Sequence, residues 1–129
     1  MPWQPPTLDQ RFLKEGNGWR LGWDAAAPHY KGLLAGADWA IELTELEFQE
    51  FCRLAPQLVQ SLQTVAPELM DEERITCEAE SELIWLELEG FPTAYSLRLI
   101  IHTGRRCEGG WNSEAAPQVI QAIAQLKLV

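Results

Sequence analysis

Positive charge is scarce in this sequence. Ten Lys and Arg stand against 19 Asp and Glu, a formal net charge of −9 over 129 residues. The deficit is spread along the chain. Residues 1–66 carry five Lys/Arg against eight Asp/Glu (−3), and residues 67–129 carry five against eleven (−6). Nucleic-acid binders draw much of their affinity from Lys and Arg that neutralise phosphates. Two acidic halves therefore speak against nucleic acid as a partner. Long apolar runs are missing as well, and none approaches the roughly 20 residues a membrane-spanning helix needs. The opening "MPWQPPTLDQ" has neither a basic segment nor an apolar stretch, so it does not read as a signal peptide. Three cysteines, Cys52, Cys77 and Cys107, are an odd number with no CxxC. A reduced, cytoplasmic chain is the simplest reading.

Signatures of chemistry are equally sparse. Ser61, Ser81, Ser96 and Ser113 lack the GxSxG context of a nucleophile elbow. "GNG" (16–18) precedes a strand and has no Lys-Ser/Thr after it, so it is not a phosphate loop. His102 and Cys107, taken with Cys77 and Glu108, match no zinc spacing. His29, beside Pro28 in a loop, reads as solvated. Cys107 follows Arg105 and Arg106, a setting that favours thiolate, but a structural cysteine in a short strand accounts for it equally. "MDEER" (70–74) and the rows Glu78/Glu80 and Glu87/Glu89 read as solvated carboxylates rather than an acid–base pair. The expectation is a protein with no catalytic residues, no cofactor and no metal, and thus not an enzyme.

What is present is core. Apolar residues make up 47% of the chain, with six Trp and four Phe, enough for one packed domain over 1–129. Residues 1–10 hold three prolines and no periodicity and read as a loose arm. From Gly18 the period is two: Trp19, Leu21 and Trp23 point one way, Arg20, Gly22 and Asp24 the other. "DAAAPHYKG" reads as a loop. "YKGLLAGADWAIEL" reads as a hairpin turning at "AGAD" (35–38), with Trp39, Ile41 and Leu43 on one face. At Thr44 the period changes. Thr44 and Glu47 form a capping box, and Phe51, Ala55, Leu58, Leu62 and Val65 recur at helical spacing. Pro56 should kink or divide this helix, Pro67 marks its end, and "ELMDEE" (68–73) adds a short turn.

A second β region follows. "RITCEAE" (74–80) sets Ile75, Cys77 and Ala79 against Thr76, Glu78 and Glu80. "LIWLELE" (83–89) sets Ile84, Leu86 and Leu88 against Trp85, Glu87 and Glu89. "EGFP" (89–92) reads as a turn, and Tyr95, Leu97, Leu99 and Ile101 share the next face. "RRCEGGW" supplies a short last strand. Asn112 or Ser113 then caps a helix with Val119, Ile120, Ile123 and Leu126 as its stripe, and Pro117 is tolerable only in its first turn. The order is strands then helix, twice. We expect an α+β domain of two pseudo-symmetric halves, about 11–66 and 74–129. Each half is an antiparallel sheet of three or four strands closed by an amphipathic helix.

On this pattern Trp19, Trp23 and Trp39 are core. Trp85 is the exception, because it lies with the glutamates opposite Ile84, Leu86 and Leu88. It is the candidate interface aromatic. Arg98 can pair with those glutamates across strands, and Arg98, Arg105 and Arg106 complete the candidate interface residues.

"EGNGWRLGWD", "LLAGADWAIELTELEF", "LMDEERITCE", "LIWLELEG" and "GRRCEGGW" together resemble a family of small cyanobacterial proteins, the domain-of-unknown-function family 1818. The resemblance covers nearly the whole chain. It implies a fold like that of the Whirly-type single-stranded-DNA-binding transcriptional regulators, with two strand–helix halves fused in one chain, and a cyanobacterial cytosolic setting. It brings no activity, cofactor or catalytic residue. Single-strand binders use a basic, aromatic sheet surface, whereas the polar faces here read Glu78, Glu80, Glu87 and Glu89. The expected function is that of a non-catalytic interaction or accessory protein with an unidentified protein partner. A single-stranded nucleic-acid-binding regulator is the alternative.

Overall fold

The computed structural model describes residues 11–68 and 73–126. The expected arm (1–10) lies outside them, as does most of the stretch 68–73. Strands β1 (Arg11–Gly16), β2 (Trp19–Asp24), β3 (Gly32–Ala35) and β4 (Ala40–Leu43) form one sheet in chain order. Helix α1 (Glu45–Val65) follows and ends in a 3-10 turn over Ala66–Glu68. Strands β5 (Ile75–Glu80), β6 (Ile84–Phe91), β7 (Ala94–Ile101) and β8 (Glu108–Trp111) form the second sheet, also in chain order. Helix α2 (Ala115–Leu126) closes the chain's order of elements. All strand pairs are antiparallel. The fold is α+β, strands then helix in two halves.

Period-two patterning places the inner faces. Ile84, Leu86 and Leu88 of β6 and Leu97, Leu99 and Ile101 of β7 have no exposed surface, and their odd–even neighbours face outward. Trp19 and Trp23 are buried on β2, while Trp39 is half-buried beside the core rather than within it. β1 escapes the periodicity argument, because Phe12 is its one inward apolar residue. It is a strand because its backbone pairs with β2 from Arg11↔Asp24 to Gly16↔Trp19. "EGFP" is not wholly a turn: β6 runs on to Phe91, which pairs with Ala94. Gly90 misleads there. It sits inside the strand at φ 141°, where a Cβ would lie 2.5 Å from the Ala94 carbonyl oxygen.

Both helix starts form as the sequence predicts. Thr44 Oγ1 accepts from the Glu47 N–H at 3.2 Å, and Glu47 Oε1 accepts from the Thr44 N–H at 2.9 Å. Asn112 Oδ1 accepts from the Ala115 N–H at 2.9 Å. Pro56 does not divide α1, which runs unbroken through 21 residues. A mid-helix proline costs about 3 kcal/mol or more. Burial of Cys52, Leu54, Ala55 and Leu58 on both sides of it opposes that cost.

Each half contributes one helix, and the two helices pack on one shared core rather than closing the halves separately. α1 lies mainly over β5 and β6 of the other half, touching β3 and β4 less. α2 lies over β7 and also over β2 and β1, and the two helices touch. One continuous core results. The sheets meet at β4 and β8 through a reciprocal exchange. The Trp39 indole N–H donates to the Gly110 carbonyl and the Trp111 indole N–H to the Ala35 carbonyl, both at 2.9 Å, and the rings lie 5.1 Å apart.

Candidate interaction face

Both inner faces and one face of each helix are spent on the core, and the outward sheet faces are among the surfaces the molecule presents. On the second sheet the register assembles three cross-strand rows. The first reads Glu80–Trp85–Ile100–Glu108, the second Glu78–Glu87–Arg98–Gly110, and the third Thr76–Glu89–Ser96. Trp85 and Ile100 are both half-buried and stand side by side, an apolar pair with a carboxylate on the strand beyond each.

Arg98 binds this face together. Its guanidinium lies 5.5 Å from the Trp85 ring centroid and 3.2 Å from Glu87 Oε1. The Trp85 indole N–H points to Glu78 Oε2 at 3.5 Å. Glu78 and Glu87 stand directly opposite each other on adjacent strands. Like charges so placed destabilise a sheet. Arg98 compensates Glu87, Arg74 pairs with Glu89 at 2.6 Å, and His102 Nε2 lies 2.7 Å from Glu80. Five glutamates nonetheless outnumber the single arginine within the rows.

The three arginines singled out from the sequence do not converge. Arg98 belongs to the face just described. Arg105, in the β7–β8 loop, turns toward the first half. It forms an ion pair with Glu47, donates to the Glu42 carbonyl, and lies 4.6 Å over the Tyr30 ring. Glu47 is only 1% exposed and also accepts from the Thr103 hydroxyl at 3.0 Å. Arg105 thus ties the second half to the N-terminal turn of α1. Arg106 is exposed at the loop tip with a φ of 47°. Ile100 and Glu108 are the members of the face that periodicity did not single out. Their signal was their alternation with buried residues, but only the register shows what they stand beside.

Other chemistry is thin among the described residues. No group of three or more His, Cys, Asp or Glu is placed to hold a metal ion. No helix there is long and apolar enough to cross a membrane. Cys107 is half-buried, with its Sγ 3.8 Å from the Arg105 carbonyl oxygen. A polar groove of about 330 Å³ lies between β1, β2 and α2. Two of its glutamines are already engaged, Gln118 by the Trp19 indole N–H at 2.8 Å and Gln125 by the Lys14 ammonium at 3.1 Å.

A family model described as "Domain of unknown function (DUF1818)" matches residues 14–126. Among solved structures the chain is similar to the crystal structure of a protein with unknown function from the DUF155 family, from Prochlorococcus sp. NATL2A. The two share 30% identity over 88% of this chain and 97% of that one, with a TM-score of 0.84. No curated protein matches.

Proposed function

The chain belongs to the DUF1818 family, and from that premise we propose that it is a non-catalytic accessory protein that works by docking another protein on the outer face of its second sheet. The observation that carries this is the Trp85–Ile100 pair. It is an aromatic–aliphatic pair that the register sets on the outer side of β6 and β7, the two middle strands of the sheet. The Phe91–Ala94 pair lies at the hairpin end with Arg74 over the Phe91 ring, and Ile84, Leu86, Leu88, Leu97, Leu99 and Ile101 face the core. Aromatic anchors ringed by polar side chains are the usual centre of a protein interface. We also place it in a cytoplasmic setting, which three cysteines, an odd number with no CxxC spacing, support. A cyanobacterial source and a likeness to Whirly-type regulators belong to the same reading and rest on the sequence resemblance.

Single-stranded nucleic acid is the competing occupant, since an arginine over a tryptophan can stack on bases. The glutamate rows oppose it, because each phosphate brought near them is repelled. Affinity purification from the native cell, with and without nuclease, separates the two. The expected result is a partner that survives nuclease and is lost with Trp85→Ala/Ile100→Ser. Recovery that vanishes on nuclease treatment would favour nucleic acid. Recovery unchanged in the double variant would remove this face from the function.

A further inference from the structure

We infer that the segment received by this face is cationic, carrying an apolar residue between two flanking Lys or Arg side chains. The inference rests on the docking reading above and names the chemistry of the partner. Its ground is the first cross-strand row, Glu80–Trp85–Ile100–Glu108, in which an apolar centre is bounded by one carboxylate on each outer strand. Neighbouring strands are spaced about 4.8 Å apart, so β5 and β8 place these two carboxylates about 14 Å from each other. A ligand that seats an apolar side chain on Trp85 and Ile100 brings its flanking groups over Glu80 on one side and Glu108 on the other.

The second row gives an independent reason. Glu78 faces Glu87 directly, and the one arginine present lies on the Glu87 side. A sheet that keeps like charges opposed departs from the pairing that would stabilise it, and such departures concentrate where a surface is used. A cationic segment removes the repulsion when it binds, which ties its affinity to these positions. A second copy of the chain is the wrong occupant, since the same acidic rows would meet themselves. A hydrophobic partner without charge would bring apolar surface against Glu108 and against Glu80, whose one close partner is the His102 ring, and would supply no cation to either carboxylate.

The test is selection from a random-peptide display library on the full chain, with Trp85→Ala as the counter-selection. Peptides that require Trp85 are then synthesised with a fluorophore and measured by anisotropy. The expected peptides carry at least one Lys or Arg on each side of an apolar residue. Their affinity should fall tenfold or more in Glu80→Gln/Glu108→Gln and fall with added salt, yet change less than threefold in Glu89→Gln, whose carboxylate is held by Arg74. Trp85-dependent peptides that are neutral or acidic would overturn the inference and leave the docking face standing. Equal losses in Glu89→Gln would also overturn it, because the charge would then act diffusely rather than through the row. If no peptide depends on Trp85, the docking reading itself falls with it.

Discussion

Replacing Arg105 with alanine would strand the Glu47 carboxylate, whose side chain is 2% exposed, without its guanidinium. Removing one partner of a buried pair costs about 3–5 kcal/mol, because the other charge is left uncompensated. Arg105 is itself 29% exposed, so the lower end of that range is expected for Arg105→Ala in urea unfolding. A loss below about 1 kcal/mol would show the pair to be a surface contact of the weak kind. Tyr95 offers a second residue-scale test. Burial on β7 raises its phenol above the usual value of 10.0. The folded chain therefore keeps a proton that the unfolded chain releases near that value. The stability linked to Tyr95 is complete below pH 10 and is lost as pH rises through the folded-state value. Tyr95→Phe should reduce the loss of urea resistance above pH 10, and an unchanged alkaline profile would assign that loss to other groups. Neither role was visible in the sequence. Glu47 was legible as a capping residue, but its partner lies 58 positions away.

At the scale of elements, the outer face of the second sheet is expected to be less stable than it could be. Glu78→Gln removes the repulsion with Glu87 and keeps an amide oxygen to accept from the Trp85 indole N–H. Cross-strand pairs of this kind contribute about 0.2–1 kcal/mol, so a gain of that size in unfolding free energy is expected. A loss instead would mean that the Glu78–Trp85 contact outweighs the repulsion. The elements were largely legible, because β2, β6, β7 and both helices have one apolar face with a clear period. Three departures share a cause. β1 has too few apolar residues to show a period. The glycine and proline of "EGFP" mark a turn that the pairing of β6 with β7 postpones. Pro56 opposes a helix that core contacts hold on both sides of it. In each case pairing or packing with distant residues outweighed the local preference.

For the whole molecule, the crossing of the helices predicts that the halves do not fold apart. A fragment of residues 11–68 keeps its sheet and α1 but loses β5 and β6, the strands against which α1 chiefly packs. It should give no cooperative unfolding transition and no dispersed amide spectrum. A folded, cooperative fragment would restore the picture of two self-contained halves. Charge, too, acts at this scale. Arg98 is engaged with Glu87 and Arg105 with Glu47, so the arginines do not form one basic surface. Binding of a labelled single-stranded oligonucleotide should therefore be no tighter than ~100 μM at physiological salt, the weak end for non-specific binders. Micromolar affinity that weakens with salt and disappears in Arg105→Glu/Arg106→Glu would promote the nucleic-acid reading. By itself the sequence determined the α+β order of strands then helix, the capping of both helices, the inward faces of the central strands and the acidic balance. These follow from periodicity, cap chemistry and formal charge, which act over a few residues or over none in particular. Tertiary structure alone decided that α1 lies mainly over the second sheet and that α2 spans both. It also decided that Arg105 locks onto Glu47 instead of joining Arg98, and that Trp85 meets Ile100 between two glutamates. Those outcomes depend on strand register and on contacts between residues far apart in the chain, and no local pattern carries that information.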